Sequence, residues 1–151
     1  MMAGTGARRA PATGGALVRT AALLVGIVFL VVGALGFIPA VTTDYGAMEF
    51  AGHESSAKLF GIFQVSILHN LVHVAFGLAG LVMSLGVASA RVFLIGGGLI
   101  YLALWVYGLV VTKASEANFL PVNEADDWLH FGLGLAMVVL GALPRRRSRR
   151  D

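Results

Sequence analysis

The residues of this chain best suited to chemistry are histidines set in apolar surroundings. "ILHNLVH" (67–73) carries His69, Asn70 and His73, and "DWLHFGLG" (127–134) carries Asp127 and His130. A polar or ionisable group among such neighbours is costly unless it faces protein, water or a ligand. Four kinds of chemistry follow. As hydrogen-bonding groups, the imidazoles and Asn70 would tie helices together through carbonyls and neighbouring polar side chains. As metal ligands, His69 and His73 stand four apart and share a helix face. His130, His53 or a nearby carboxylate would complete a set for zinc, copper or nickel. As haem b ligands, His73 and His130 each have a glycine four residues on, Gly77 and Gly134, where a porphyrin could approach the backbone. Two directly packed glycine seams would leave that macrocycle no room, and only Lys58 and Lys113 could meet its propionates. As part of a transport path, His73 lacks a successor, because Ser84 is the one polar residue further along its face. An outward-facing polar pocket fits better than a through-path.

The absence of cysteine removes disulfides, thiolate metal sites, iron–sulfur clusters and thiol redox chemistry. No phosphate loop, zinc-finger spacing or aromatic-rich basic stripe is present, so nucleic acid is not an expected partner.

Two stretches repeat. "NLVHVAFGLAGLVMS" (70–84) aligns with "DWLHFGLGLAMVVLG" (127–141), pairing Asn70 with Asp127, His73 with His130, and Gly77 with Gly134. Steps of three and four keep these positions on one helix face. One face reads Asn70, His73, Gly77, Gly80, Ser84; the other reads Asp127, His130, Gly134, Met137, Gly141. Small residues at that spacing make the close-packing seam of membrane helices, so the histidines should point into the bundle. The chain therefore reads as a duplicated two-helix hairpin in parallel repeat. Asn70 and Asp127 would form a polar pocket with the histidines. Gly77, Gly80, Gly134 and Gly141 would be packing positions.

The elements that must hold these faces are membrane spans. The chain has 151 residues, 58% of them hydrophobic and only 13% charged, and its mean hydropathy is +0.84. A soluble domain of this size needs more polar surface, and there is no length for a separate enzyme module. Residues 1–16 read as a flexible cytoplasmic tail, in which Gly15 should tolerate a bulky substitution. Residues 17–143 read as a four-helix transmembrane domain, all-α, and 144–151 as a basic cytoplasmic tail. The first span runs from Leu17 to Ile38 and Pro39 ends it. A second segment covers 57–87, with Ser55 or Ser56 as its N-cap and "AKLFGIFQVS" at the interface or extending the helix. The third span covers 92–112, where "GGG" (96–98) allows close contact or local unwinding. The fourth runs from Trp128 to Leu143. Short connections between four helices make a bundle.

Basic residues decide orientation. Arg8, Arg9 and Arg19 precede or open the first span, Arg91 lies between the second and third, and five arginines follow the fourth. Most acids lie in the two opposite loops. Both termini should face the cytoplasm of a bacterial inner (plasma) membrane. The expected partners are the lipid bilayer, anionic headgroups at the C-terminal arginines, and a second copy or another membrane protein.

The stretches "GFIPAVTTDYGAMEFAGHESSAKLFGIFQVSILHNLVHVAFG", "FLIGGGLIYLALWVYGLV" and "ANFLPVNEADDWLHFGLGLAM" resemble domain of unknown function 4383, a family of small four-helix bacterial membrane proteins. The resemblance spans roughly residues 17–143, and "HNLVH" and "DDWLHFGLG" make it specific. It implies the fold and the membrane location and brings no activity. The expected role is non-enzymatic, structural or related to envelope or stress physiology; the alternative is a metal- or haem-binding redox membrane subunit.

Overall fold

A computed structural model describes residues 13–144 of the chain. It holds four helices, α1 (Thr13–Leu35), α2 (Ile67–Met83), α3 (Val87–Val110) and α4 (Glu124–Ala142). Between α1 and α2 lie three two-residue strands, β1 (Thr42–Thr43), β2 (Lys58–Leu59) and β3 (Phe63–Gln64). By length and composition, α1 from Gly14 and α3 are apolar enough to cross a membrane. The expectations placed on residues 1–12 and on the C-terminal arginines lie outside the described residues.

Several boundaries move from their expected places. Helix α1 starts inside the stretch read as a tail, and Gly15 packs toward Val87. Helix α1 also stops at Leu35, three residues short of Ile38 and four before the proline. The segment expected to extend the second helix forms β2 and β3 instead. Its N-cap is Ser66, whose hydroxyl accepts from the His69 N–H at 3.1 Å. Ser55 is buried in the loop and donates to the Val65 carbonyl at 2.6 Å. At α4, Asn123 and Asp126 form a reciprocal capping box, so the helix begins four residues ahead of Trp128.

The strands pair antiparallel in the order β1-β2-β3, with Leu59 opposite both Thr42 and Phe63. The β2–β3 turn passes through Phe60 (φ 53°) and Gly61 (φ 72°). Gly61 adopts that left-handed backbone freely, whereas Phe60 is strained there. The sheet closes one end of the bundle over a small core of Ala57, Leu59 and Val65.

Helix α1 packs along α2, and α3 along α4; contact between these two hairpins is sparser and runs chiefly through α1 and α3. Glycines explain the tight pairs. A Cβ on Gly77 would meet the Gly26 carbonyl oxygen at 2.8 Å, and one on Gly134 would meet the Gly98 carbonyl oxygen at 2.9 Å. Backbones this close exclude any side chain. The "GGG" run stays helical: Gly97 and Gly98 face Met137 and Gly134, while Gly96 faces open space. The main core, built on Val18, Phe29, Phe93, Leu94, Tyr101 and Met137, fills the space between hairpins.

At the end opposite the sheet, arginines cap helix carbonyls. Arg19 Nε donates to Ser84 O at 2.9 Å, and Arg91 Nη1 donates to Gly141 O at 2.7 Å. Each arginine belongs to the first helix of a hairpin and caps the second, which satisfies carbonyls that a helix end leaves unpaired.

Candidate functional site

The histidines converge at the sheet end of the bundle, just beneath β2 and β3. The Ser66 cap starts α2 so that His69 and His73 fall one turn apart on the inward side. Their rings stack, with centroids 4.4 Å apart and planes 9° apart. His73 Nδ1 lies 3.0 Å from the His69 carbonyl oxygen, and its Nε2 lies 3.3 Å from the Tyr101 hydroxyl. A carbonyl only accepts, so the neutral His73 ring carries its proton on Nδ1 and accepts from Tyr101 at Nε2. The Tyr101 ring then meets the His130 ring edge-on, at 4.9 Å between centroids. Phe29 touches both His73 and Tyr101. His130 is 4% exposed, and its Nδ1 has no hydrogen-bond partner among the described residues.

Two cavities flank this cluster, of about 60 and 230 Å³. Both are bordered by Phe29, His69, His73, Tyr101 and His130. The smaller lies between α2 and α3. The larger lies between α1 and α4 under Phe60 and Phe63 of the hairpin. Asp126 borders it as well. The carboxylate accepts from the Gln64 N–H at 3.1 Å and from the Asn123 N–H at 3.0 Å, pinning β3 to the start of α4. Asn123 Nδ2 adds a second tie to the Ile62 carbonyl at 2.7 Å. Asp126 lies ahead of the apolar stretch that starts at Trp128. Burial pushes its carboxyl up to about 6, against the opposing pull of the backbone N–H groups of Asn123 and Gln64.

Asn70 and Asp127 take other places than a shared pocket with the histidines. Asn70 is 1% exposed and lies on Gly36, at the end of α1, with its Nδ2 3.8 Å from Met48 Sδ. Asp127 lies on Gly108, near the end of α3, and its Oδ2 pairs with Lys113 Nζ at 2.7 Å. The Asp127 Oδ1 is buried without a partner. Gly77, Gly80, Gly134 and Gly141 each face a neighbouring helix: Leu30 and Gly26, Gly26 and Phe93, Gly98 and Leu102, and Leu94 and Ile95 respectively. His53 is in the loop, where its carbonyl accepts from Gln64 Nε2 at 3.3 Å.

Among the described residues no group of three His, Asp or Glu side chains is gathered as a metal set. His73 already uses both ring nitrogens in hydrogen bonds, and its ring stacks flat on His69. Haem fits no better, because Tyr101 occupies the space between His73 and His130 that a porphyrin would need. The arrangement is suited to hydrogen bonding with a small molecule.

Tyr101 is the site residue that histidine spacing did not reveal. A signal existed: "GIVFLVVGALG" (26–36) and "GLIYLALWVYG" (98–108) align with Phe29 on Tyr101, Gly26 on Gly98 and Gly36 on Gly108. Arg19 and Arg91 fall at the same offset. Asp126 and Gln64 were equally hidden, since only the fold brings β3 to α4.

No curated protein and no solved structure matches the chain. Residues 19–143 match the family described as domain of unknown function (DUF4383), which is most of the chain, and the protein belongs to that family.

Proposed function

We propose that this is a non-enzymatic, multi-pass protein of a bacterial inner membrane, with both termini in the cytoplasm and a histidine-lined pocket near the outer face. The observation that carries the reading is an inversion of polarity. The helices turn exposed apolar side chains outward, such as Leu24, Leu78, Val106 and Val139, while His130, Asp127 and Asn70 are buried inside. A water-soluble bundle has the opposite arrangement. Lipid tolerates apolar exteriors and demands that polar groups face protein. The arginines collect at one end and the acids at the other, which favours the arginine end as cytoplasmic.

Two equivalent hairpins, α1–α2 and α3–α4, form this bundle. Support comes from matched contacts. Gly26 meets the backbone of Leu81 as Gly98 meets that of Val138, and Asn70 covers Gly36 as Asp127 covers Gly108. Arg19 and Arg91 cap their partner helices alike. The pocket lies between the two hairpins, where the packing is loosest.

The chain has no cysteine, so single replacements report topology cleanly. In intact cells, Lys58→Cys should react with a membrane-impermeant maleimide, and Ser148→Cys should react only after permeabilisation. The opposite pattern overturns the orientation. Recovery of the protein in the soluble fraction overturns the membrane reading.

A further inference from the structure

The larger cavity has one apolar mouth and one polar end. Val28 of α1 (53% exposed) and Leu129 of α4 (46% exposed) border it from opposite sides. These two helices barely touch, so the cavity faces sideways between them. Its roof is Phe60 and Phe63, and its far wall is Phe29. Its closed end holds Tyr101, His73, His69 and His130. Among the described residues no lysine or arginine borders it, which argues against an anionic headgroup. At about 230 Å³ it falls below the range of roughly 300–1,000 Å³ of drug-sized pockets. It suits one ring, with any tail left outside.

The polar end offers both hydrogen-bonding senses. The Tyr101 proton is committed to His73, so the Tyr101 oxygen keeps lone pairs that can accept. His130 borders the cavity, and because its Nδ1 is closed off from solvent, the ring atom left to meet a ligand is Nε2. A planar ring bearing carbonyl or hydroxyl oxygens would bond His130 Nε2 and the Tyr101 oxygen and stack among the aromatic walls. We propose that this cavity binds the head ring of a membrane-dissolved quinone or quinol, which reaches it from the bilayer between α1 and α4. The proposal rests on the membrane reading above and adds its ligand class. The β2–β3 hairpin roofs the site, held to α4 through Asp126 and Asn123.

The test is calorimetric titration of the full-length protein in lipid nanodiscs with decylubiquinone. Saturable binding at one molecule per chain is expected. His130→Phe keeps a ring and removes the nitrogens, and Leu129→Trp fills the mouth without touching the polar end. Each should weaken binding by about tenfold or more, the scale of one lost buried hydrogen bond or an obstructed site. Both variants should retain the wild-type helical signal and elution volume. If His130→Phe does not fold, Leu129→Trp alone decides. Non-saturable partitioning overturns the proposal, as does equal affinity in the folded variants. Displacement of the quinone by an equal concentration of decanol also overturns it, since the site would then read a tail and not a ring. A negative titration with Lys58→Cys still labelled from outside removes the ligand and leaves the membrane reading. Failed outside labelling removes the membrane reading itself.

Discussion

In the hairpin α1–α2 a carboxamide, Asn70, lies on a glycine at the end of the first helix. In α3–α4 a carboxylate, Asp127, lies on the matching glycine. The shelf is the same and the charge is not. The difference follows from what each first helix is followed by. After α3 comes Lys113, whose ammonium bonds both the Gly108 carbonyl and Asp127, each at 2.7 Å. After α1 come Phe37, Ile38 and Pro39, with no cation, and the side chain facing Asn70 is Met48. Close packing therefore requires a small polar group at this point, and local charge compensation decides whether it is ionised. The same comparison holds deeper in the hairpins, where Phe29 and Tyr101 correspond. Both rings touch His73, and only Tyr101 carries a hydroxyl to bond it.

The harshest way to test the likeness of the two hairpins is to push apart the helices within each. Gly77→Leu and Gly134→Leu should each prevent recovery of folded, monodisperse protein, a cost above about 3 kcal/mol. Overpacking of a core usually costs less, but here the obstacle is backbone that cannot rotate away. Gly132→Leu, whose Cβ meets open space, should elute and melt like wild type. Size-exclusion recovery after detergent extraction reads this. Full recovery of either seam variant would show that the two helices of that hairpin do not need close approach.

Exchanging the charge sharpens the comparison. Asn70→Asp places a carboxylate where no cation waits and should cost roughly 3–5 kcal/mol, the scale of an uncompensated buried charge. Lys113→Met does the same to Asp127, but its side chain is 36% exposed, so about 1–2 kcal/mol is expected after solvent screening. The double variant Lys113→Met with Asp127→Asn converts the second hairpin to the chemistry of the first. It should recover most of the melting temperature lost in Lys113→Met. Additive loss would mean that Lys113 acts through α3 capping and not through Asp127.

The smallest effect concerns Asp126, which the alignment sets against His69, so the first hairpin has no acid at that position. Its folded carboxyl is raised to about 6 from an ordinary value of 3.8. An acid raised on folding favours its protonated form in the folded state. Its stabilising contribution is complete below the unfolded value and fades as pH climbs through about 6. Melting temperature should therefore fall between pH 4 and 7, and Asp126→Asn, which can still accept from Gln64 and Asn123, should flatten that slope. An unchanged slope would assign it to other groups.

Much of this molecule is written locally. Four apolar segments and the glycine faces of α2 and α4 follow from period and composition, because a helix repeats its own face every three to four residues. The family follows from "HNLVH" and "DDWLHFGLG". Other features depend on residues far apart in the chain. Ser66 caps α2 because β2 and β3 use the preceding residues, and a two-residue strand has no period to detect. Asn70 and Asp127 leave the histidines for Gly36 and Gly108, since a missing Cβ on another helix is invisible from either residue's own neighbourhood. Tyr101 stands between His73 and His130 because α3 crosses there. That placement decides against a macrocycle between the histidines, and no local pattern encodes it: it is set by how two hairpins pack.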